Sequence, residues 1–487
     1  TEGRCKAFHN PSGIQQEMSS RELEKIGKDG DRVENCEAIS RNDERNAVLE
    51  NIKGCIKKKD INKGSRIHGN IITKGLLHKD LCINNALISM YAKCGRIAKA
   101  HQVHDELCIR DVVSWSALIA GYAKSGQGRK ALDCFEQMRS EGIAANAITF
   151  TCLLKACGNL GAISKGKEIH NEIVKRSLLE KDTVLATSLV DMYAKCGVLA
   201  KAQQVHDELC VRDVISWNAL IGGYVQHCQG HQALNCFEIM QWEGICPNEV
   251  TFLHIIKACA SIGAIDKGEK INDQIISRGL LEKGVLASAL VDMYAKCGML
   301  IKAQHLHENL HIQSVDSWNA LIAAYAQVGE DNVAAGLFCK MVEFIQPDII
   351  TFTILLNACS HSGLLDKAQH FFWSMKYFGI IATLEHYTCM VDLFGRAGLV
   401  EKAVTLINNI PIFDHLPMWI SLLGACQKWG NVRLGRLAFE HAMHLDEGHS
   451  APYVYMSNIE AVAPLQEVME EFESVIVENG GTIQIIL

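Results

Sequence analysis

The sequence lacks the features that mark several common classes of protein. No apolar run reaches the ~18 residues of a membrane-spanning helix, so no membrane partner is expected. Only seven of the 487 residues are proline, which favours long helical stretches over loop-rich β architecture. The formal net charge is −7, whereas a nonspecific, duplex-coating nucleic-acid binder needs a strong positive excess. Selective binding to a single strand remains compatible with this charge.

Signatures of catalysis are also missing. The chain has no P-loop, no G-x-S-x-G motif and no paired-carboxylate constellation. Three H-x-E tripeptides begin at His104, His170 and His206, but a zinc deaminase also needs P-C-x-x-C to supply metal ligands. No two of the twenty cysteines stand in a C-x-x-C spacing. We therefore interpret the tripeptides as coincidental and predict no enzyme activity, no catalytic residue, no metal site and no cofactor.

The cysteines that are present recur at fixed points within apolar helical patterns, as Cys94 does in MYAKCG. This placement favours reduced, buried, small hydrophobic residues over disulfides or metal ligands. It indicates a reducing compartment.

An internal repeat organises most of the chain. Trp115, Trp217 and Trp318 lie in the near-identical contexts SWSALIAGYAKSG, SWNALIGGYVQHC and SWNALIAAYAQVG, about 102 residues apart. Each period holds three variants of a smaller unit, of 36, 31 and 35 residues in the clearest case. The eleven repeats predicted in this way are 45–80, 81–111, 112–146, 147–182, 183–213, 214–248, 249–283, 284–314, 315–348, 349–383 and 384–418.

Each repeat is predicted to form two helices. In repeat 214–248, the stripe of a first helix starts at Trp217, and the stripe of a second helix starts at Ala233 after a turn near Gln229. Apolar residues at i, i+3, i+4 and i+7 indicate one buried face per helix. Because a single helical pair cannot bury both stripes, stacked repeats are needed. The predicted fold is all-α, a right-handed α-solenoid superhelix of helix-turn-helix repeats.

The repeated strings resemble the pentatricopeptide repeat family, specifically its plant class with alternating long, short and standard repeats. The strings that carry the resemblance are WNALIGGYVQ, LVDMYAKCG, ITFTCLLKACGNLGAISKGKEIH and HYTCMVDLFGRAGLVEKA. Residues 419–460 resemble the C-terminal extension motif of that class, in degenerate form and with no deaminase domain of the DYW type. Residues 461–487 form a divergent tail, and the charged segment 1–44 is unassigned.

The resemblance implies that each repeat binds one nucleotide of single-stranded RNA and reads it with its fifth and last residues. The family pairing implies a preferred base for each of five pairs of fifth and last residues. These are U for Asn85 with Asp111, A for Ser116 with Asn146, G for Thr187 with Asp213, C or U for Asn218 with Asn248, and U for Asn319 with Asp348. The alternative is that these small polar residues near helix starts are only caps.

Two further columns support RNA binding. The second residue of most repeats is apolar and resembles a clamp between successive bases, as at Val113, Val184 and Ile215, whereas Asp316 and Glu385 break the pattern. The thirteenth residue is often basic, which suggests phosphate contacts or simply a cation at a helix C-terminus. This basic column comprises Lys93, Lys124, Lys195, Lys296 and Arg396.

The expected function is therefore sequence-selective binding of organellar single-stranded RNA. The extension motif favours site recognition in C-to-U RNA editing, with the deaminase supplied in trans by a deaminase-bearing family member or an editing cofactor. The alternatives are a structural subunit of an organellar ribosome or another ribonucleoprotein, and a protein-binding scaffold. The organelle is a mitochondrion or a chloroplast, and the chain starts at Thr1 rather than at Met, so its first residues carry no information about targeting.

Overall fold

A computed structural model describes residues 45–75, 80–179, 182–281, 284–310, 313–410 and 415–461. Within these ranges the chain is entirely helical, with 25 helices and no strand. The all-α class predicted from the sequence is confirmed. The unassigned segment 1–44 and residues 462–487 of the tail lie outside the described residues.

The chain divides into an N-terminal unit, Thr1–Gly223, and a C-terminal unit, Tyr224–Leu487. The helices that begin in the N-terminal unit are α1 (45–58), α2 (Ile61–Thr73), α3 (Leu81–Lys93), α4 (Ile97–Asp105), α5 (Val112–Lys124), α6 (Gly128–Ser140), α7 (Ala147–Leu160), α8 (Ile163–Lys175), α9 (Thr183–Lys195), α10 (Leu199–Asp207) and α11 (Val214–Gln226). Those of the C-terminal unit are α12 (Gly230–Trp242), α13 (Glu249–Ile262), α14 (Ile265–Ser277), α15 (Gly284–Lys296), α16 (Leu300–Glu308), α17 (Val315–Gln327), α18 (Asp331–Phe344), α19 (Ile349–Ser362), α20 (Leu365–Tyr377), α21 (Leu384–Arg396), α22 (Val400–Asn408), α23 (Leu416–Trp429), α24 (Val432–Leu445) and α25 (450–461).

Within each unit the first helices of consecutive repeats pack side by side. In the N-terminal unit α3, α5, α7 and α9 form one such layer, and in the C-terminal unit α13, α15, α17, α19, α21 and α23 form another. Second helices pack on the first helix of their own repeat and on that of the next repeat, as α4 does on α3 and α5 and as α16 does on α15 and α17. This arrangement buries both apolar stripes, as stacked repeats require.

The core consists of the recurring apolar residues. Trp115 and Trp217 are buried, and so are Leu220, Ile221 and Ala233 of repeat 214–248. A stacking contact also explains a recurring glycine in the second helix of the long repeats. A Cβ atom on Gly166 would lie 2.5 Å from Met192 Sδ, so a larger residue there would force the Met192 side chain to move.

The buried cysteines behave as the sequence indicates. Cys157 and Cys259 lie in the core, and burial raises the pKa of the Cys157 thiol to about 12 and that of Cys259 to about 11. All the cysteines among the described residues are free thiols. Six of them are exposed, namely Cys82, Cys108, Cys210, Cys228, Cys246 and Cys339, so the small-hydrophobe interpretation does not cover every cysteine.

The last residue of most repeats is the N-cap of the next first helix. Asp111, Asn146 and Asp348, for example, precede α5, α7 and α19. The expected end of repeat 384–418 does not fit this rule, because α23 begins at Leu416 and its N-cap is His415. Proline favours the first turn of a helix, and Pro417 lies in the first turn of α23. By the capping criterion this repeat is 384–415, and the following segment begins three residues earlier than the sequence suggested.

Candidate nucleic-acid interface

The second, fifth and thirteenth residues of each repeat share one stripe of the first helix. In α9 these are Val184, Thr187 and Lys195. Their spacings of three and eight residues keep them on the same side of a helix with 3.6 residues per turn. The opposite side of α9 carries the fully buried Leu189 and Val190. The helical period therefore gathers the three predicted columns on one side of the helix, and we call this surface the reading stripe.

The last residue of most repeats joins the reading stripe by capping the next first helix. The Oδ1 atom of Asp111 accepts the backbone N–H of Ser114 at 2.7 Å, and Asn146 Oδ1 accepts that of Thr149 at 2.9 Å. Asp213 Oδ1 likewise accepts the N–H of Ser216 at 2.8 Å. The capping hydrogen bond occupies one terminal atom, Oδ1, of each side chain. An aspartate keeps its second oxygen, an acceptor, and an asparagine keeps its Nδ2, a donor.

Fifth and last residues meet across the repeat boundary. Asn85 Nδ2 donates to both carboxylate oxygens of Asp111, at 3.0 and 3.2 Å. Ser116 Oγ lies 3.5 Å from Asn146 Oδ1. These two predicted pairs are therefore in direct contact within the N-terminal unit.

The Asn319–Asp348 pair is also in contact, and Thr351 adds a further bond to it. Asn319 Nδ2 donates to Asp348 Oδ1 at 3.0 Å, and Asn319 Oδ1 accepts the Thr351 hydroxyl at 2.7 Å. Asn319 is 6% exposed, and Asp316 is exposed beside it. Internal bonds already hold the acceptor of this amide and one of its donor hydrogens.

The Thr187–Asp213 pair shows no direct link in the described residues. Thr187 is half-buried and Asp213 is exposed, with no hydrogen bond between their side chains in the part of the chain that is described. Asn218 lies half-buried on α11 in the N-terminal unit. Asn248 belongs to the C-terminal unit, where its Oδ1 caps α13 through the N–H of Thr251 at 3.0 Å.

The capping alternative applies to the last residues rather than to the fifth ones. The fifth residues lie one turn inside the helix, where a hydroxyl donates to the carbonyl four residues earlier. Ser116 Oγ donates in this way to Val112 O at 2.5 Å, and Thr151 Oγ1 to Ala147 O at 2.9 Å. The fifth residues are therefore not caps, whereas the last residues have a structural role whatever else they do.

The predicted clamp residues are exposed although they are apolar. Val113 is 50% exposed, Val184 64% and Ile215 62%. The same column continues with Ile148, Val250, Val285 and Ile350, all of them exposed. An exposed β-branched side chain at this position of successive repeats can pack against the flat apolar face of a ligand.

The basic column divides into two classes. Lys195 forms an ion pair with Asp191 at 2.7 Å, Lys296 with Asp292 at 2.8 Å, and Arg396 with Asp392 at 2.9 Å. Lys93 and Lys124 are exposed and form no ion pair within the described residues. Sequence reasoning missed this difference, although a signal was available. An acid four residues before the base, as in DMYAK, is the spacing of a helical ion pair.

The H-x-E histidines lie in second helices. His104 and His206, in α4 and α10, are buried with their rings 4.2 and 4.3 Å from the rings of Trp115 and Trp217. Burial lowers the pKa of His104 to about 4. No group of three or more His, Cys, Asp or Glu side chains in the described ranges is placed to hold a metal ion. No described helix is long and apolar enough to cross a membrane.

Comparison with known proteins identifies the repeats. The PPR repeat family model matches residues 110–159, 212–261 and 313–361. The PPR repeat model matches residues 85–112, 148–178, 350–380 and 385–411.

The curated relatives and a solved structure agree with these matches. One pentatricopeptide repeat-containing protein of Arabidopsis thaliana is 35% identical over 88% of this chain and 52% of its own length. A second from Arabidopsis thaliana is 36% identical over 84% of this chain and 73% of its own length. The chain thus spans between about half and three quarters of these relatives. The crystal structure of the pentatricopeptide repeat protein PPR10 from maize has a TM-score of 0.57 at 17% identity, covering 91% of this chain and 71% of that one, which shows the solenoid fold. The chain belongs to the pentatricopeptide repeat family.

Proposed function

We propose that this protein binds a segment of single-stranded organellar RNA sequence-selectively, as the recognition factor for a C-to-U editing site. The observation that carries the proposal is the contact between the fifth residue and the capping last residue, with exposed apolar side chains on the same stripe. Such a stripe can hold a base between two clamps while the polar pair faces its edge. Three relatives named mitochondrial support an organellar location.

The atom that the cap leaves free explains the expected base preferences. Uracil and guanine carry a hydrogen on the ring nitrogen of their pairing edge, whereas adenine and cytosine carry a lone pair there. The second carboxylate oxygen of Asp213, or that of Asp111, which also accepts the Asn85 amide, would therefore accept from U or G. The spare Nδ2 of Asn146 would donate to A. A bulky amide such as Asn85 leaves room for a pyrimidine, and a small hydroxyl such as Thr187 leaves room for a purine.

The Lys93 and Lys124 ammonium groups are the better candidates for phosphate contact, because the other three cations of the column are already paired with carboxylates. A small number of phosphate contacts would leave most of the affinity to base stacking and edge recognition. This suits a chain with a net charge of −7.

The proposal is tested by the binding of purified protein to an RNA of ~12 nucleotides that carries the expected bases, compared with a scrambled RNA, its duplex and the matching DNA. Preferential binding of the single-stranded expected RNA supports it, and equal binding of all four contradicts it. Stoichiometric zinc, or deamination of a bound cytidine, would contradict the view that the deaminase acts in trans.

The exposed acids Asp316 and Glu385 on the reading stripe favour a second candidate, a structural subunit of an organellar ribosome. A ribosomal subunit should co-sediment with ribosomes from an organellar extract and should not bind the short free RNA. An editing factor should show the reverse pattern.

A further inference from the structure

The boundary between α21 and α23 contains a polar pair that becomes visible once the repeat is taken to end at its helix cap. With the repeat as 384–415, its fifth residue is Thr388 and its last residue is His415. The two half-buried side chains meet, with Thr388 Oγ1 3.2 Å from His415 Nδ1. Four other boundaries show the same kind of contact, at Asn85–Asp111, Ser116–Asn146, Ser288–Ser314 and Asn319–Asp348.

The hydrogen-bond chain determines which nitrogen of the imidazole carries the proton. Thr388 Oγ1 donates its hydrogen to Leu384 O at 2.8 Å, so towards His415 the hydroxyl oxygen can only accept. His415 Nδ1 must then be the protonated nitrogen, and in the neutral ring Nε2 is an acceptor. His415 makes no side-chain cap to α23, and its Nε2 has no hydrogen-bond partner in the described part of the chain.

The free Nε2 therefore offers the same chemistry as the spare oxygen of a capping aspartate. In the Thr187–Asp213 pair, a small hydroxyl accompanies a free acceptor, and the Thr388–His415 pair reproduces this combination with an imidazole. A guanine presents its N1–H donor to such an acceptor, whereas an adenine presents a lone pair and is repelled.

We propose that Thr388 and His415 form an additional base-reading pair and that it selects guanine over adenine. This inference rests on the proposed RNA-binding function. Glu385, exposed at the clamp position of the same repeat, provides poorer stacking than the valine or isoleucine of other repeats. The pair consequently contributes more to base discrimination than to affinity.

Selection from a pool of randomised single-stranded RNA tests the pair, because every base is sampled at every position of the bound segment. The proteins compared are the full chain and its His415→Asp, His415→Asn and Thr388→Val variants. The matched control is His305→Asn, which removes an exposed histidine from the second helix α16. Asparagine and aspartate are both good helix caps, so the His415 variants should fold.

We expect one selected position to prefer G over A by roughly tenfold in the wild type, which corresponds to about one hydrogen bond to a base edge. His415→Asp keeps that preference, and His415→Asn turns it toward A, because its free Nδ2 is a donor. Thr388→Val weakens the preference, since nothing then fixes the ring proton on Nδ1. The His305→Asn variant should select the same RNA as the wild type.

The outcomes separate this inference from the proposed function. If wild-type selection shows base preferences at other positions, but no position changes in His415→Asn, the His415 inference is overturned and RNA recognition stands. If the wild type selects no sequence at all, both are overturned. An equal loss of affinity for every RNA in His415→Asn would assign His415 a structural role only.

Discussion

Replacing Thr187 by asparagine gives repeat 183–213 the same fifth and last residues as repeat 81–111. Both repeats are 31 residues long and both end in aspartate. In the natural example, the Asn85 amide donates to the Asp111 carboxylate at 3.0 and 3.2 Å. We expect the new amide to approach Asp213 in the same way, and the base preference of this one repeat to shift from G toward U.

The magnitude follows from the atoms exchanged. Thr187→Asn fills the space that a purine needs and adds a donor and an acceptor that match the O4 and N3–H of uracil. One or two neutral hydrogen bonds to a base edge amount to about 1–2 kcal/mol, or roughly a five- to thirtyfold change in the ratio of dissociation constants for G and U. The free energy of unfolding should change little, because Thr187 is half-buried and forms no cap.

The assay is binding of wild type and variant to four RNAs that differ only at the base opposite repeat 183–213. The reciprocal variant Asn85→Thr should move the preference of repeat 81–111 from U toward G, and preferences opposite Ser116 and Asn218 should not change, because repeats read separately. Equal loss of affinity for all four RNAs would refute the reasoning and make Thr187 a structural residue.

The remaining predictions concern the clamp, the basic column and the buried histidines. Ile215→Asp should weaken RNA binding by about 1–3 kcal/mol, the contribution of one stacked base. The control Val174→Asp, at an exposed apolar site on the second helix α8, should leave RNA binding unchanged. Loss of fold in both variants would contradict a specific role of Ile215 in binding. Lys124→Ala should lower the slope of log K against log salt by about 0.7, and Lys296→Ala should lower it less, since Lys296 is paired; equal slopes would show that the ion pair opens for RNA. Burial lowers the pKa of His104 to about 4 from an unfolded value near 6.5, so the unfolded chain binds more protons between these values and stability falls as pH drops from 6.5 to 4. Without this histidine, in His104→Phe, the free energy of unfolding should fall by roughly 3 kcal/mol less over this pH range. Urea unfolding at several pH values measures this, and an unchanged dependence of the unfolding free energy on pH would assign the titration to another group.

The helix pairs and the core could be predicted from the sequence because both depend on periodic local patterns. Trp217 and Leu220 fall on one stripe whatever their neighbours are, and stacking follows from the need to bury that stripe. The end of repeat 384–415 could not be read in the same way. The lengths of the other repeats suggested 418, whereas the cap at His415 and the first-turn Pro417 determine where α23 begins.

Contacts between repeats were the other feature that could not be predicted from the sequence. The sequence pairs Asn319 with Asp348, but only the packing of α17 against α19 shows that Thr351 occupies the acceptor of Asn319. Similarly, the basic column appears uniform in sequence, whereas Asp292 neutralises Lys296 and no acid faces Lys124 in the described ranges. Side-chain atoms that are already engaged in an internal hydrogen bond or an ion pair are less available to a ligand.

Base recognition in this protein depends most directly on whether the capping residue contacts the base. Exchanging the last residue of a single repeat tests this, with Asp111→Asn as the variant and the affinity for RNAs carrying U or C opposite repeat 81–111 as the readout. Asparagine preserves the cap to Ser114 and replaces Oδ2, which accepts the Asn85 amide, by a donor. The Asn85 amide then has to turn so that its oxygen faces the new donor. We expect a shift in base preference from U toward C of about 1–2 kcal/mol, with the helical fold retained. An unchanged preference for U would contradict it.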